Sequence, residues 1–162
     1  MLLRQYKGAY ILFMAIAEVN VARLQPHTDQ FDVLEFQAAV NPLIDLAGGR
    51  RIFRGLLGQI TENLPLRGLE LSSQYVMNIT VWPTINTLVN FTEERSNIRT
   101  LLSYQHLFVR VKKPASLALW VVENDATPTI EESAEKLQYL RDNGPSQIVF
   151  DSKTRSIFAP TS

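Results

Sequence analysis

Tyr75-Val-Met-Asn-Ile-Thr-Val-Trp82 alternates along its length and is followed at once by Pro83. Val76, Asn78, Thr80 and Trp82 fall on one side of an extended chain, and Met77, Ile79 and Val81 on the other. That period of two is the signature of a strand. Proline is tolerated in the first turn of a helix, and Ile85, Leu88 and Val89 then recur at steps of three and one. The spacing therefore predicts a strand running directly into a helix.

Working towards the N-terminus, Glu62 to Ser73 reads as a loop holding Pro65 and Gly68. Ile52 to Ile60 reads as a strand that Gly55 and Gly58 bend. Val33, Phe36, Val40, Leu43 and Ala47 build one apolar face of a helix over Asp32–Ala47. Asp32 and Glu35 are its expected cap pair, Pro42 should kink it near Asn41, and Gly48-Gly49 should end it. Arg4 and Lys7 precede the apolar run Ala9–Ala17 in the manner of a signal peptide. The run is too short to span a bilayer and continues into Glu18-Val-Asn-Val-Ala-Arg23, where polar and apolar residues alternate. Leu12 to Ala22 is accordingly expected to be the first strand.

Towards the C-terminus, a second helical piece is expected over Glu94–Phe108, with Ile98, Leu101, Leu102 and Gln105 turned inward. Pro114 interrupts it, and Leu117–Val122 is a wholly apolar fourth strand. Thr129 and Glu132 form a Thr-x-x-Glu capping box ahead of Ile130, Ala134, Leu137 and Arg141, with Gly144-Pro145 as the stop. The order β-α-β-β-α-β plus a tail helix specifies the α+β class. A ferredoxin-like antiparallel sheet carries its helices on one face, in a single domain over residues 1–162 with its core at about 10–150. The opposite sheet face reads as apolar and open, so a homodimer through that face is expected.

Composition narrows the function. The 162 residues hold 16 basic and 16 acidic side chains, and 46% are hydrophobic. A balanced charge argues against nucleic acid, and Arg110-Val-Lys112-Lys113 reads as a solvated loop. No cysteine is present, which excludes disulfides, thiolate nucleophiles and thiolate-bound metals. With His27 and His106 the only histidines, a histidine-rich metal site is not expected. Nucleotide loops, dinucleotide fingerprints, nucleophile elbows and His-Glu-x-x-His are all missing. The expectation is a protein of the cytoplasm with no cofactor and no membrane partner.

Several stretches in order resemble the DUF3291 family. They are Ala17-Glu-Val-Asn-Val-Ala-Arg23, the Asn41 region, Asn78-Ile-Thr-Val-Trp82, Leu119-Trp-Val-Val122, and Pro128-Thr through Gly144-Pro-Ser146. Together they cover about residues 13–150. The resemblance implies a place in the dimeric α+β barrel group, which includes antibiotic-biosynthesis monooxygenase-like proteins. Members of the family often carry a histidine in a Ser-x-His-like run. Here that run is Ser96-Asn97-Ile-Arg99, so Asn97 stands in the histidine's place.

Barrels of this group keep ligands between sheet and helices. The strand residues that could face such a pocket are Glu18 or Asn20, and Asn78 or Thr80; the sequence leaves the inward face open. Asn41, Asn97, Tyr104, Gln105 and His106 could line it from the helices. His106 is the candidate acid or base, Tyr104 a donor to an alkoxide or enolate, and Glu18 a buried carboxylate needing Arg54 or Arg99 as partner. Asn20 and Asn78 could polarise a carbonyl or simply pair with each other, and Trp82 and Trp120 could wall an aromatic ligand. The expected function is metal-free acid–base chemistry on an apolar small molecule, of oxygenase, isomerase or cyclase type. The alternatives are a non-catalytic binder of a hydrophobic small molecule, and a haem-handling protein using His106.

Overall fold

A computed structural model of the chain describes residues 14–56, 75–109, 117–122, 126–143, 149–151 and 156–158. Four strands, β1 (Ala15–Arg23), β2 (Arg50–Leu56), β3 (Tyr75–Trp82) and β4 (Leu117–Val122), form one sheet in the order β2-β3-β1-β4. Every pairing in it is antiparallel. Four helices join them: α1 (Gln30–Leu46), α2 (Ile85–Glu93), α3 (Arg95–Ser103) and α4 (Ile130–Asn143). This is the α+β, ferredoxin-like arrangement expected from the order of elements. Short strands β5 (Val149–Asp151) and β6 (Ser156–Phe158) pair with each other as a separate hairpin. The loop at 62–73, the basic cluster at 110–113 and the Gly144-Pro145 stop lie outside the described residues.

Strands β3 and β4 match their expected bounds. The first helix begins earlier than its apolar period suggests. Its cap is Asp29, whose side chain accepts from Asp32 N–H at 2.9 Å, while Asp32 accepts from Asp29 N–H at 3.2 Å. The expected pair Asp32/Glu35 is thus displaced by one turn, because Asp29 sits where the first free N–H groups point. Helix α1 continues through Pro42 to Leu46. Its C-terminus closes as a Schellman motif: Gly49 N–H bonds Ile44 O, Gly48 N–H bonds Asp45 O, and Gly48 adopts φ +90. Pro83 precedes α2 rather than opening it; the cap is Thr84, which accepts from Thr87 N–H.

The second helical piece divides. Helix α3 ends at Ser103, and Gln105–Leu107 forms a 3-10 turn. Ile98 and Leu102, expected inward, are exposed, and the inward positions are Asn97 and Leu101. Asn97 sets this rotation by donating its side-chain N–H to Phe91 O at 3.0 Å, which locks the α2–α3 corner.

Register assigns the two sheet faces. On the first face stand Ile16, Glu18 and Asn20 of β1, and Val76, Asn78, Thr80 and Trp82 of β3. Helices α1 and α2 cover it, as contacts from Asn41 to Arg54 and from Phe91 to Trp82 show. On the second face stand Ala17, Val19, Val21, Met77, Ile79, Val81, Ala118 and Trp120, all buried. Arg50, also on that face, donates to Thr127 Oγ1 at 2.9 Å and to Ala126 O at 3.4 Å. These bonds bring the start of α4 to the second face, where Ala134 and Leu137 join the core. The open apolar face expected from the sequence is therefore closed within one chain. No helix among the described residues is long and apolar enough to cross a membrane.

Candidate functional site

A sheet face roofed by helices is ordinarily apolar, because unpaired polar groups are costly to bury. The first face departs from that rule along its middle. Asn78 donates its side-chain N–H to Asn20 Oδ1 at 2.7 Å, from a position directly opposite across the β1–β3 pair. One pair further along, Glu18 stands opposite Thr80, which is only 3% exposed. Trp82 Nε1–H donates to Glu18 Oε1 at 3.2 Å along the diagonal. Arg54 lies opposite Asn78 on the other side, so Glu18, Asn20, Asn78, Thr80 and Arg54 form one polar row across three strands.

Strand β2 owes this placement to an irregularity. Arg51 and Arg54 are three residues apart, a spacing that puts side chains on opposite faces of a regular strand. The register shift between Arg51 and Phe53 inserts one residue, so Arg51 opposes Thr80 and Arg54 opposes Asn78 on the same face. Arg51 is drawn outward into a two-point contact with Asp45 at the end of α1, at 3.0 and 3.1 Å. Arg54 turns inward. Its Nη1 donates to Asn41 Oδ1 of α1 at 2.6 Å, and its guanidinium lies 5.9 Å from the centre of the Phe36 ring.

The roof over Arg54 is aromatic. Phe36 meets Tyr104 edge-on at 5.5 Å and Phe108 edge-on at 5.1 Å. Trp82 packs on Phe91 at 5.0 Å, and the close turn at Gly49 brings the end of α1 against the same indole. Polar groups thus sit between an apolar sheet and an aromatic lid, where charge interactions are strengthened.

Electrostatics follow from burial. Desolvation pushes the Glu18 carboxyl above its usual range, against the opposing pull of the Trp82 hydrogen bond and the Arg54 charge. Arg54 is lowered to about 10 by burial and by the neighbouring Arg51, with Glu18 acting to raise it. At neutral pH the guanidinium keeps its proton, and Glu18 is a stronger base than a surface glutamate. One further group stands out. Asn78 Oδ1 is buried and has no hydrogen-bond partner.

The structure brings together Glu18, Asn20, Asn41, Asn78 and Trp82 of the residues singled out in the sequence. Tyr104 is half-buried and joins through Phe36. The others lie elsewhere. His106, read as part of a core-forming element, is exposed on the 3-10 turn, where the chain leaves α3 after Ser103. Gln105 and Arg99 are exposed. Asn97 is buried but tied to Phe91 O. Trp120 is buried on the second face, beside Ala17. Phe36 entered the sequence reading only as one position of an apolar stripe, and its aromatic neighbours come from distant segments. Among the described residues no three His, Asp or Glu side chains gather as a metal would require.

An open groove of about 610 Å³ lies apart from the polar row, between the end of α1 and the α2–α3 corner. Leu43, Leu46, Thr84, Asn90 and Asn97 are among its lining residues, and Phe91 is its link to Trp82. None of Glu18, Asn20, Asn78, Thr80 and Arg54 is among its lining residues.

A family model described as "Domain of unknown function (DUF3291)" matches residues 15–161. No curated protein matches the chain. Among solved structures, the chain is similar to the hydroxynitrile lyase from Passiflora edulis, with a TM-score of 0.50 and 9% identity over 72% of this chain and 99% of that one. It is also similar to a protein of unknown function from Rhodopseudomonas palustris, with TM-score 0.47 and 14% identity over 72% and 85% of the two chains. A NIPSNAP-like domain protein from Burkholderia xenovorans gives TM-score 0.42 and 14% identity over 72% and 91%. At 9% identity the likeness to the lyase is one of fold.

Proposed function

The chain belongs to the DUF3291 family, and within it we propose an acid–base function on a neutral, largely apolar small molecule held between the first sheet face and α1. The observation that carries this reading is Glu18, a half-buried, largely desolvated carboxylate in the polar row, anchored through one oxygen by Trp82 Nε1. The anchored oxygen fixes orientation, and the second is left for a ligand. A carboxylate held this way takes a proton more readily than one in water.

The step it suits is removal of a proton from a carbon beside a carbonyl. The C–H bond breaks, the proton passes to Glu18, and the electron pair moves onto the carbonyl oxygen as an enolate. Arg54 supplies positive charge on the same face for that oxygen. Where a neighbouring C=C bond extends the enolate to a dienolate, return of the proton to the γ carbon shifts the double bond and completes an isomerisation; otherwise it returns to the same carbon and the outcome is exchange. Tyr104 and Phe36 would bound the apolar body of the ligand, with Asn20 and Asn41 at its polar edge.

The test uses α-tetralone in deuterated water. Wild-type protein should accelerate deuterium uptake beside the carbonyl, and Glu18→Gln should abolish the acceleration while the fold persists. Equal uptake with and without wild-type protein, or equal uptake by the variant, overturns the reading. Binding without exchange would identify the chain as a non-catalytic binder. Pairing of two copies through the second sheet face would require its covering to move, since Val19, Met77 and Ile79 are buried within one chain.

A further inference from the structure

An amide oxygen buried without a donor destabilises a fold, and such groups are rare in settled structures. Asn78 Oδ1 is in that condition, on a side chain that is 9% exposed. Its neighbours do not relieve it. Asn20, across on β1, is engaged through Oδ1 as the acceptor from Asn78 Nδ2. Arg54, across on β2, directs Nη1 to Asn41. The next residues on the same face of β3 are Val76, which is apolar, and Thr80. The orphan oxygen sits in the middle of the polar row, one pair along the sheet from Glu18.

Resting on the acid–base reading above, we infer that the ligand of this site carries a hydroxyl group, which donates to Asn78 Oδ1. The geometry selects among oxygen functions. A carbonyl or ether oxygen has no hydrogen to offer and would leave Asn78 Oδ1 unpaired. A carboxylate would place a negative charge beside both that oxygen and Glu18. A hydroxyl can donate to Asn78 while its own lone pairs face the Arg54 cation. An aromatic or cyclic apolar body would suit the neighbouring rings, because Phe36, with Tyr104 and Phe108 against its edges, roofs Arg54. The substrate class is therefore a cyclic or aryl alcohol, or a hydroxy-ketone in which the carbonyl meets the Glu18 chemistry and the hydroxyl meets Asn78.

Two probes matched in shape test this directly: benzyl alcohol and benzyl methyl ether. Binding to the full chain is followed by NMR through the side-chain amide signals of Asn78 and Asn20. The alcohol should bind at least about tenfold more tightly than the ether, the difference one hydrogen bond to a buried acceptor makes. Asn78→Leu, which keeps the side-chain size and removes the orphan oxygen, should bring the two probes within about twofold. The wild-type comparison decides the matter even if that variant does not fold. Equal binding of both probes, an unchanged preference in Asn78→Leu, or no movement of the Asn78 signal overturns the inference. That last result would mean that internal water alone satisfies the oxygen. Equal binding would leave the Glu18 reading to the deuterium-exchange test, whereas binding of neither probe would count against a ligand at this site altogether.

Discussion

Replacing Phe36 with leucine should lower stability by about 1.5–3.5 kcal/mol. The ring is 9% exposed and makes two edge-on contacts, at 5.5 Å with Tyr104 and 5.1 Å with Phe108. Each such pair contributes about 0.5–1.5 kcal/mol beyond area burial. The Arg54 guanidinium at 5.9 Å stands at the outer limit for a cation over a ring, so about 0.5 kcal/mol is assigned to it. Leucine keeps much of the apolar bulk but none of these ring contacts, and the sum gives the figure. Truncation to alanine adds a cavity and should reach about 3–5 kcal/mol. Urea unfolding measures the change as a shift in midpoint at constant slope. A double-mutant cycle of Phe36→Leu with Tyr104→Leu should return a coupling of about 0.5–1.5 kcal/mol. A loss below about 1 kcal/mol for Phe36→Leu, or zero coupling, would refute the claim that aromatic edges hold α1 over the polar row.

Other perturbations have equally definite signs. Burial raises the Glu18 carboxyl above 4.5, so the folded chain holds that proton more tightly than the unfolded one. Stability is then undiminished by Glu18 below pH 4.5 and falls as pH rises through the window between 4.5 and the folded value. Glu18→Gln should match wild type in urea midpoint at pH 4 and exceed it at pH 7; a variant less stable than wild type at pH 7 would contradict this. Gly49→Ala places a carbon 2.6 Å from Ile44 Cγ2 and 3.0 Å from the Trp82 ring. Overpacking of that kind costs about 1–3 kcal/mol, so an unchanged melting temperature would show that the turn is not as tight as described. Asp29→Ala should lose about 1 kcal/mol as a helix cap, and Glu35→Ala at most about 0.5 kcal/mol in urea unfolding. The reverse order would restore the cap expected from the sequence.

The sequence carried those elements whose signal is local. Tyr75–Trp82 alternates without interruption, Leu117–Val122 is short and uniformly apolar, and Thr129 caps α4 by accepting from Glu132 N–H at 3.0 Å. Glu18, Asn20 and Asn78 were legible as polar residues in otherwise apolar strands, an arrangement that needs a reason wherever it occurs. What decided their partners was not local. Arg54 reaches the same face as Arg51 only through a register shift, and no residue between them announces it. His106 attracted attention by its chemistry, yet the end of α3 at Ser103 turns it to solvent. The helical rotation that exposes Ile98 and Leu102 follows from one side-chain bond, Asn97 to Phe91 O, and apolar periodicity does not encode it. The burial of the second sheet face likewise depends on long-range placement: Arg50 on that face meets Thr127, 77 residues further along the chain.

The most direct test of the account is the titration of Glu18 itself, followed by the carbon NMR signal of its side-chain carboxyl in the intact chain. A midpoint above 4.5 is expected, with the Trp82 indole N–H signal moving in the same titration because it donates to that carboxyl. A midpoint at or below 4.5, with the indole signal unmoved, would mean that Glu18 is an ordinary solvated carboxylate and that the polar row is not the site of this protein's chemistry.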